Sequence, residues 1–352
     1  MSNLLTWSWG LLSRALTPQA APRPATPYID RWQFTNPGGR VAARPGPQPF
    51  IAQGVRMYGF VFEGKEAKLE ALCARYLNHT EAAVTYHAVP PFWVFLTFTE
   101  AKRLACRNTP YSQMGSSEEQ EAALWLMTAA VDRRSAVPEV RAAFFIPYIF
   151  VDNSLAVTQG REIYGFPKEM GQFAGFPAAG ETVDDVTVSA FAVETFKKSS
   201  QADFLPALRL HRTGPGSSVA GGTWATFDEA ARAITALLPE LPTRIAADIE
   251  VPAKLLTQFL PPQRMVFLKQ FHDAADGRQA AYQAIVETEA SVTAFRSGAH
   301  LPGAYRLTLP VLDSHPIAAD LGLKDGQQAL LSYTLDFDFA LQAGDVIWQG
   351  GV

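Results

Sequence analysis

Short runs in which apolar and polar residues alternate, each cut off by a glycine- or proline-bearing turn, recur through most of this chain. A period of two marks half-buried strands and leaves little room for a helical architecture. VRMYGFVFEG after Gly54, Ala82 to Tyr86, Phe92 to Thr99, Ala122 to Ala130, VDDVTVSAFAVETF, AYQAIVETEASVTAFRSG and AYRLTL read as strands. Helical spacing is confined to GKEAKLEALCARYLN, with Leu69, Leu72, Cys73, Tyr76 and Leu77 on one face, and to two later segments. Those are FDEAARAITALL, with Thr226 as its N-cap, and AKLLTQFL, opened by Pro252. Many strands, turn-rich connections and few helices predict an α+β, mainly antiparallel fold with a closed β-barrel or cone covered by helices.

A chain of 352 residues can bury a substantial core, read here as one domain with an insertion. Net charge −4, with no basic stripe, argues against nucleic acid as a partner. The two cysteines, Cys73 and Cys106, form no CxxC and the six histidines show no ligand spacing, so neither a disulfide framework nor a metal or other cofactor is expected. No run approaches the roughly 18 apolar residues of a membrane span. With no basic leader at the N-terminus, the expected location is cytoplasmic.

Residues 1–50 read as an arm: an apolar segment with Trp7 and Trp9, then the proline-rich linker TPQAAPRPATP. Residues 51–352 form the domain, with a helical insertion at about 197–262. The glycines of GPGSSVAGG lie inside that insertion without the GKS or GKT of a phosphate loop, so they read as a flexible connector.

The stretch with most chemical content is GREIYGFPKEMG, Gly160 to Gly171, preceded by the apolar run VRAAFFIPYIF and a turn at Asp152 to Ser154. Lys168 stands there in apolar surroundings, whereas a lysine ammonium normally sits in water. Burial alone lowers a lysine pKa. A fall from about 10.4 to about 7 corresponds to roughly 4.6 kcal/mol and yields a free amine able to attack a carbonyl.

At VDNSLAVTQGREIYGFPKE the sequence resembles the acetoacetate decarboxylase family, in which G-R-E is followed by apolar residues and P-K-K, the first lysine being the Schiff-base nucleophile. Lys168 matches that lysine, and Glu169 stands where the family has a second one. The similarity runs from Gln53 to Trp348 apart from the insertion, and takes in RMVFLKQFHDAADGR and LSYTLDFDFALQAGDVIW. It implies a cone-like barrel with the lysine in a central cavity, a homo-oligomer, and a small oxo-acid substrate. The implied reaction is decarboxylation of acetoacetate or a related β-keto acid. Alternatives are another Schiff-base reaction on an oxo acid (aldol condensation, dehydration or hydration) and a barrel that binds a small ligand without turnover. The resemblance also places Arg56 against the substrate carboxylate and a strand-opening glutamate, matched to Glu121 ahead of Glu119 and Glu139, beside the lysine. Tyr164 and Phe166 would form apolar wall, and Arg161 and Glu162 a buried structural pair. Because neighbours on a strand face opposite ways, Glu169 is expected to point away from Lys168.

Overall fold

The computed structural model describes residues 49–78, 82–109, 111–113, 115–177, 182–214, 222–235, 244–245, 249–250 and 263–350. The first strands are β1 (Phe50–Glu63), β2 (Val84–Ala88), β3 (Trp93–Cys106), β4 (Ser117–Asp132), β5 (Glu139–Val151) and β6 (Lys168–Ala174). There follow β7 (Asp185–Ala192), β8 (Asp203–Gly214), β9 (Thr223–Trp224), β10 (Arg244–Ile245), β11 (Ile249–Glu250) and β12 (Gln263–His272). The last are β13 (Ala280–His300), β14 (Ala304–Thr308), β15 (Gln327–Gln328), β16 (Leu331–Leu341) and β17 (Asp345–Gly350). Helices are α1 (Glu66–Tyr76), α2 (Ser154–Gln159), α3 (Phe227–Thr235) and α4 (Ile317–Leu321). The arm over 1–48, the loop tip 215–221 and the AKLLTQFL helix lie outside the described residues.

β3 and β4 run several residues beyond their sequence-derived ends. Charged residues interrupt the apolar pattern there without breaking its alternation: Ala101 is buried while Lys102 is exposed, and Glu119 is buried while Glu118 is exposed.

The sheet returns on itself. β5 pairs with β4 on one side and β12 on the other, and β12, β13, β16, β1, β3 and β4 complete a circuit of seven paired strands. A second arm leaves β5 through β6, β7, β8, β14 and β15. It packs on the outside of the circuit: Val188 and Leu208 of the arm share one apolar core with Phe60 and Phe98 of the circuit and with Leu69 and Leu72 of α1. A smaller core, including Ile149, Tyr164, Phe166 and Phe267, faces the other way.

β8, within the segment read as an insertion, pairs with both β7 and β14 and so belongs to the sheet. α3 carries a capping box. Thr226 Oγ1 accepts from Glu229 N at 3.2 Å, and the Glu229 carboxylate accepts in return from Thr226 N at 3.3 Å.

Candidate active site

The turn before the lysine fastens α2 to β4. Asn153 Oδ1 accepts from Ala156 N at 2.7 Å as the helix cap, and its Nδ2 donates to the Glu118 carbonyl at 3.0 Å. Asp152 Oδ1 accepts from Gln120 N at 3.0 Å. After α2 the backbone widens into a π turn over Gly160–Tyr164, a distortion found often at functional sites. The N–H groups of Gly165 and Phe166 both donate to the Gly160 carbonyl, at 3.0 and 3.1 Å.

Two glycines make this path possible. Gly165 has φ +85°, and a Cβ there would stand 2.6 Å from Lys269 Cα. A Cβ on Gly160 would stand 2.8 Å from Lys168 Cδ, so the lysine stem runs across the bare glycine.

Lys168 opens β6, which pairs parallel with β5 in the register Ile149↔Lys168 and Phe150↔Glu169. Alternation sends Ile149 and Lys168 into a cavity of about 210 Å³. Phe150 joins the opposite, larger core. Glu169 goes the same way: its Oε2 meets His315 Nε2 at 2.9 Å, and the His315 ring lies 6.1 Å from that of Phe150.

In the cavity Lys168 Nζ lies 2.5 Å from Glu119 Oε1 and 3.0 Å from Glu121 Oε2. The two glutamates are two residues apart on β4, hence on one face. Nζ also stands 5.7 Å from the centre of the Phe166 ring. The Phe166 ring packs tilted against that of Tyr164, centre to centre 5.3 Å, and the Tyr164 hydroxyl donates to the Gln342 carbonyl at 2.9 Å. Both rings line the cavity.

These contacts correct the expectation of a lysine neutralised by burial. Burial does oppose the ammonium, yet the charges and hydrogen bonds of Glu119 and Glu121 outweigh it and hold Lys168 above the ordinary lysine value. The strain of the burial appears on the other partner. Burial pushes Glu119 up to about 7; Lys168 pulls it down and Glu121 adds to the rise. At neutral pH the site therefore holds a charged lysine 2.5 Å from a carboxylate that exchanges its proton near that pH.

Of the other sequence candidates, Glu121 and Glu119 line the cavity together, although only one was expected there. The signal for the pair was available: glutamates spaced by two at a strand mouth share a face. Glu139 is exposed at the start of β5. Arg56 does not line the cavity. It projects from the face of β1 opposite to Met57, which does, and its Nε donates to Asp336 Oδ1, its cross-strand neighbour, at 2.8 Å. Arg161 is exposed, so it and Glu162 make no buried pair. Thr99, opposite Glu121 in the β3–β4 ladder, lines the cavity with a buried hydroxyl that has no hydrogen-bond partner. No pattern in the sequence marks it out. Among the described residues no group of His, Cys, Asp and Glu is arranged to hold a metal ion. No described helix is long and apolar enough to cross a membrane.

No protein-family model and no curated protein matches the sequence. Solved structures do resemble it. Acetoacetate decarboxylase from Legionella pneumophila superposes with TM-score 0.54 at 13% identity, over 94% of this chain and 94% of that one. The enduracididine biosynthesis enzyme MppR, in complex with pyruvate, gives TM-score 0.50 at 11% identity, over 86% of this chain and 91% of the other. At these identities the likeness is one of fold, and the chain has the strand-rich fold of acetoacetate decarboxylase.

Proposed function

We propose that the protein is a Schiff-base enzyme acting on an oxo acid, with Lys168 as nucleophile and decarboxylation of acetoacetate or a related β-keto acid as the reaction. The observation that carries this reading is the Lys168 amine, buried on the wall of an apolar cavity between Glu119 and Glu121.

An ammonium cannot attack a carbonyl, so the resting charge must be discharged first. Glu119 is placed to take that proton: it lies at 2.5 Å, and a carboxylate raised to about 7 is a competent base at neutral pH. The free amine adds to the ketone, Glu119 returns the proton to the departing hydroxyl, and water leaves. The product is an iminium with both carboxylates ionised beside it. Its positive carbon draws the electron pair of the breaking C–C bond as carbon dioxide leaves, giving the enamine. Glu121, at 3.0 Å from the nitrogen, positions the iminium and delivers a solvent-derived proton to the enamine carbon. Hydrolysis then restores the amine. The unpartnered Thr99 hydroxyl is available to hydrogen-bond a substrate oxygen. Tyr164 and Phe166 keep that part of the cavity apolar and dry.

A second reading has its own support. Two carboxylates beside an iminium also suit removal of a proton from the adjacent carbon, the entry to aldol condensation or dehydration. The two are separated by feeding the enzyme acetoacetate and, separately, pyruvate in deuterium oxide. Release of carbon dioxide from acetoacetate, lost in Lys168→Arg, supports decarboxylation. Deuterium entering pyruvate with no carbon dioxide from acetoacetate replaces it with the second reading. Neither signal leaves a ligand-binding barrel.

A further inference from the structure

The cavity holds charge only at one place. Among the described residues that line it Lys168 is the only cation, and it is committed to the two glutamates and to the bond it is to form. Among the described residues no guanidinium lines the cavity to hold a substrate carboxylate, since Arg56 is turned away to Asp336. An anionic substrate entering here meets Glu119 and Glu121 and gains nothing from a second positive group. Its binding energy has to come from elsewhere.

The rest of the wall indicates where. The cavity lies between two apolar clusters. On the lysine side are Tyr164, Phe166 and Met265. Across from them Met57, Val292 and Phe337 belong to a different cluster, built on β1, β13 and β16. In the ladder Thr99 pairs with Glu121 on one side and with Met57 on the other, so Met57 is two strands from the glutamate, roughly 10 Å at ordinary strand spacing. A dry apolar cavity of about 150 Å³ takes a benzene ring. This one offers about 210 Å³, with its charged groups gathered at Lys168.

We infer that the substrate is an oxo acid whose carbonyl carries an apolar alkyl or aryl group of about five or six carbons. That group would lie against Met57, Val292 and Phe337 while the carbonyl reaches Lys168. The inference rests on the Schiff-base reading for the position of the carbonyl, and on the cavity alone for the apolar group. Binding of a remote, unreacting group also supplies the energy that brings an anionic head to an acidic site.

The test compares acetoacetate with 3-oxooctanoate, which adds four methylenes, on the intact protein. At the usual increment per buried methylene the longer acid gains about 200-fold in kcat/KM. Calorimetric titration with 2-octanone and acetone, which differ by five methylenes, gives a second reading that requires no turnover, and a tighter fit of 2-octanone by about 800-fold is expected. Met57→Trp, which shortens the apolar end, is expected to cut the ratio between the two acids at least tenfold. Equal or better use of acetoacetate, with adducts forming on Lys168, overturns the inference and leaves the Schiff base standing. Preferential binding of 2-octanone with no adduct from any ketone does the reverse: the apolar site stands and the Schiff base falls. If 2-octanone binds no tighter than acetone, the inference is wrong whatever the chemistry.

Discussion

Replacing Glu119 by glutamine tests the electrostatics of the site without touching the nucleophile. Glu119 has an ordinary carboxyl value of 4.5 and is raised to about 7 in the fold. Between those two values the folded protein keeps a proton that the unfolded chain has released, so stability falls as pH rises through this window. The displacement of about 2.5 units amounts to about 3 kcal/mol, absent below pH 4.5 and complete above pH 7. Glutamine keeps the shape and cannot titrate; Lys168 stays charged across the window in the wild type because its value is raised, and in the variant Glu121, 3.0 Å away, still favours the ammonium. Urea unfolding at about pH 4.5 and 7.5 should therefore show Glu119→Gln gaining about 3 kcal/mol on the wild type between the two conditions. Parallel stability profiles would refute the assignment of the buried proton to Glu119. The same variant should lose at least 100-fold in kcat, since the acceptor of the lysine proton is gone.

Lys168→Arg should show no turnover because a guanidinium does not deprotonate. Lys168→Ala should be inactive as well, and less stable at neutral pH by about 3–5 kcal/mol because the buried Glu119 and the half-buried Glu121 lose their cation, with the loss recovered on acidification; calorimetry at two pH values checks this. Glu169→Gln should leave the acidic limb of the pH–rate profile nearly in place, since the Glu169 carboxylate is bound to His315 on the other strand face; a shift of a full unit would show that it couples to the lysine. Gly160→Ala should lower kcat ten- to hundred-fold by displacing the lysine stem, whose Cδ would lie 2.8 Å from the new methyl group. Circular dichroism should show the fold retained.

The alternation of apolar residues was enough to read β1, β2, β7, β13 and β14, parts of β3 and β4 and the main buried face of α1, because burial on one side of a sheet imposes a period of two on the sequence; β5, apolar on both faces, and β8 were not read from it. It also carried the position of Glu169, since opposite facing of strand neighbours follows from the pleat alone. The closure of β5 on β12 was not legible in detail: a parallel pairing between strands over a hundred residues apart leaves no local mark. Arg56 shows the same limit. Which side of β1 faces the cavity depends on the irregularity between Ala52 and Val55, and Asp336 reaches the guanidinium only through β16 pairing. The charge on Lys168 was misread because apolar neighbours in sequence were taken for neighbours in space. The residues that decide it come from β4, 49 and 47 positions earlier.

The most direct measurement is reduction with sodium borohydride in the presence of acetoacetate and of 3-oxooctanoate, followed by peptide mass spectrometry. The account predicts a stable secondary amine on the peptide containing Lys168, carrying the decarboxylated ketone skeleton, and no adduct in Lys168→Arg. Unmodified Lys168 with both acids, or an adduct on another lysine that persists in Lys168→Arg, would contradict it.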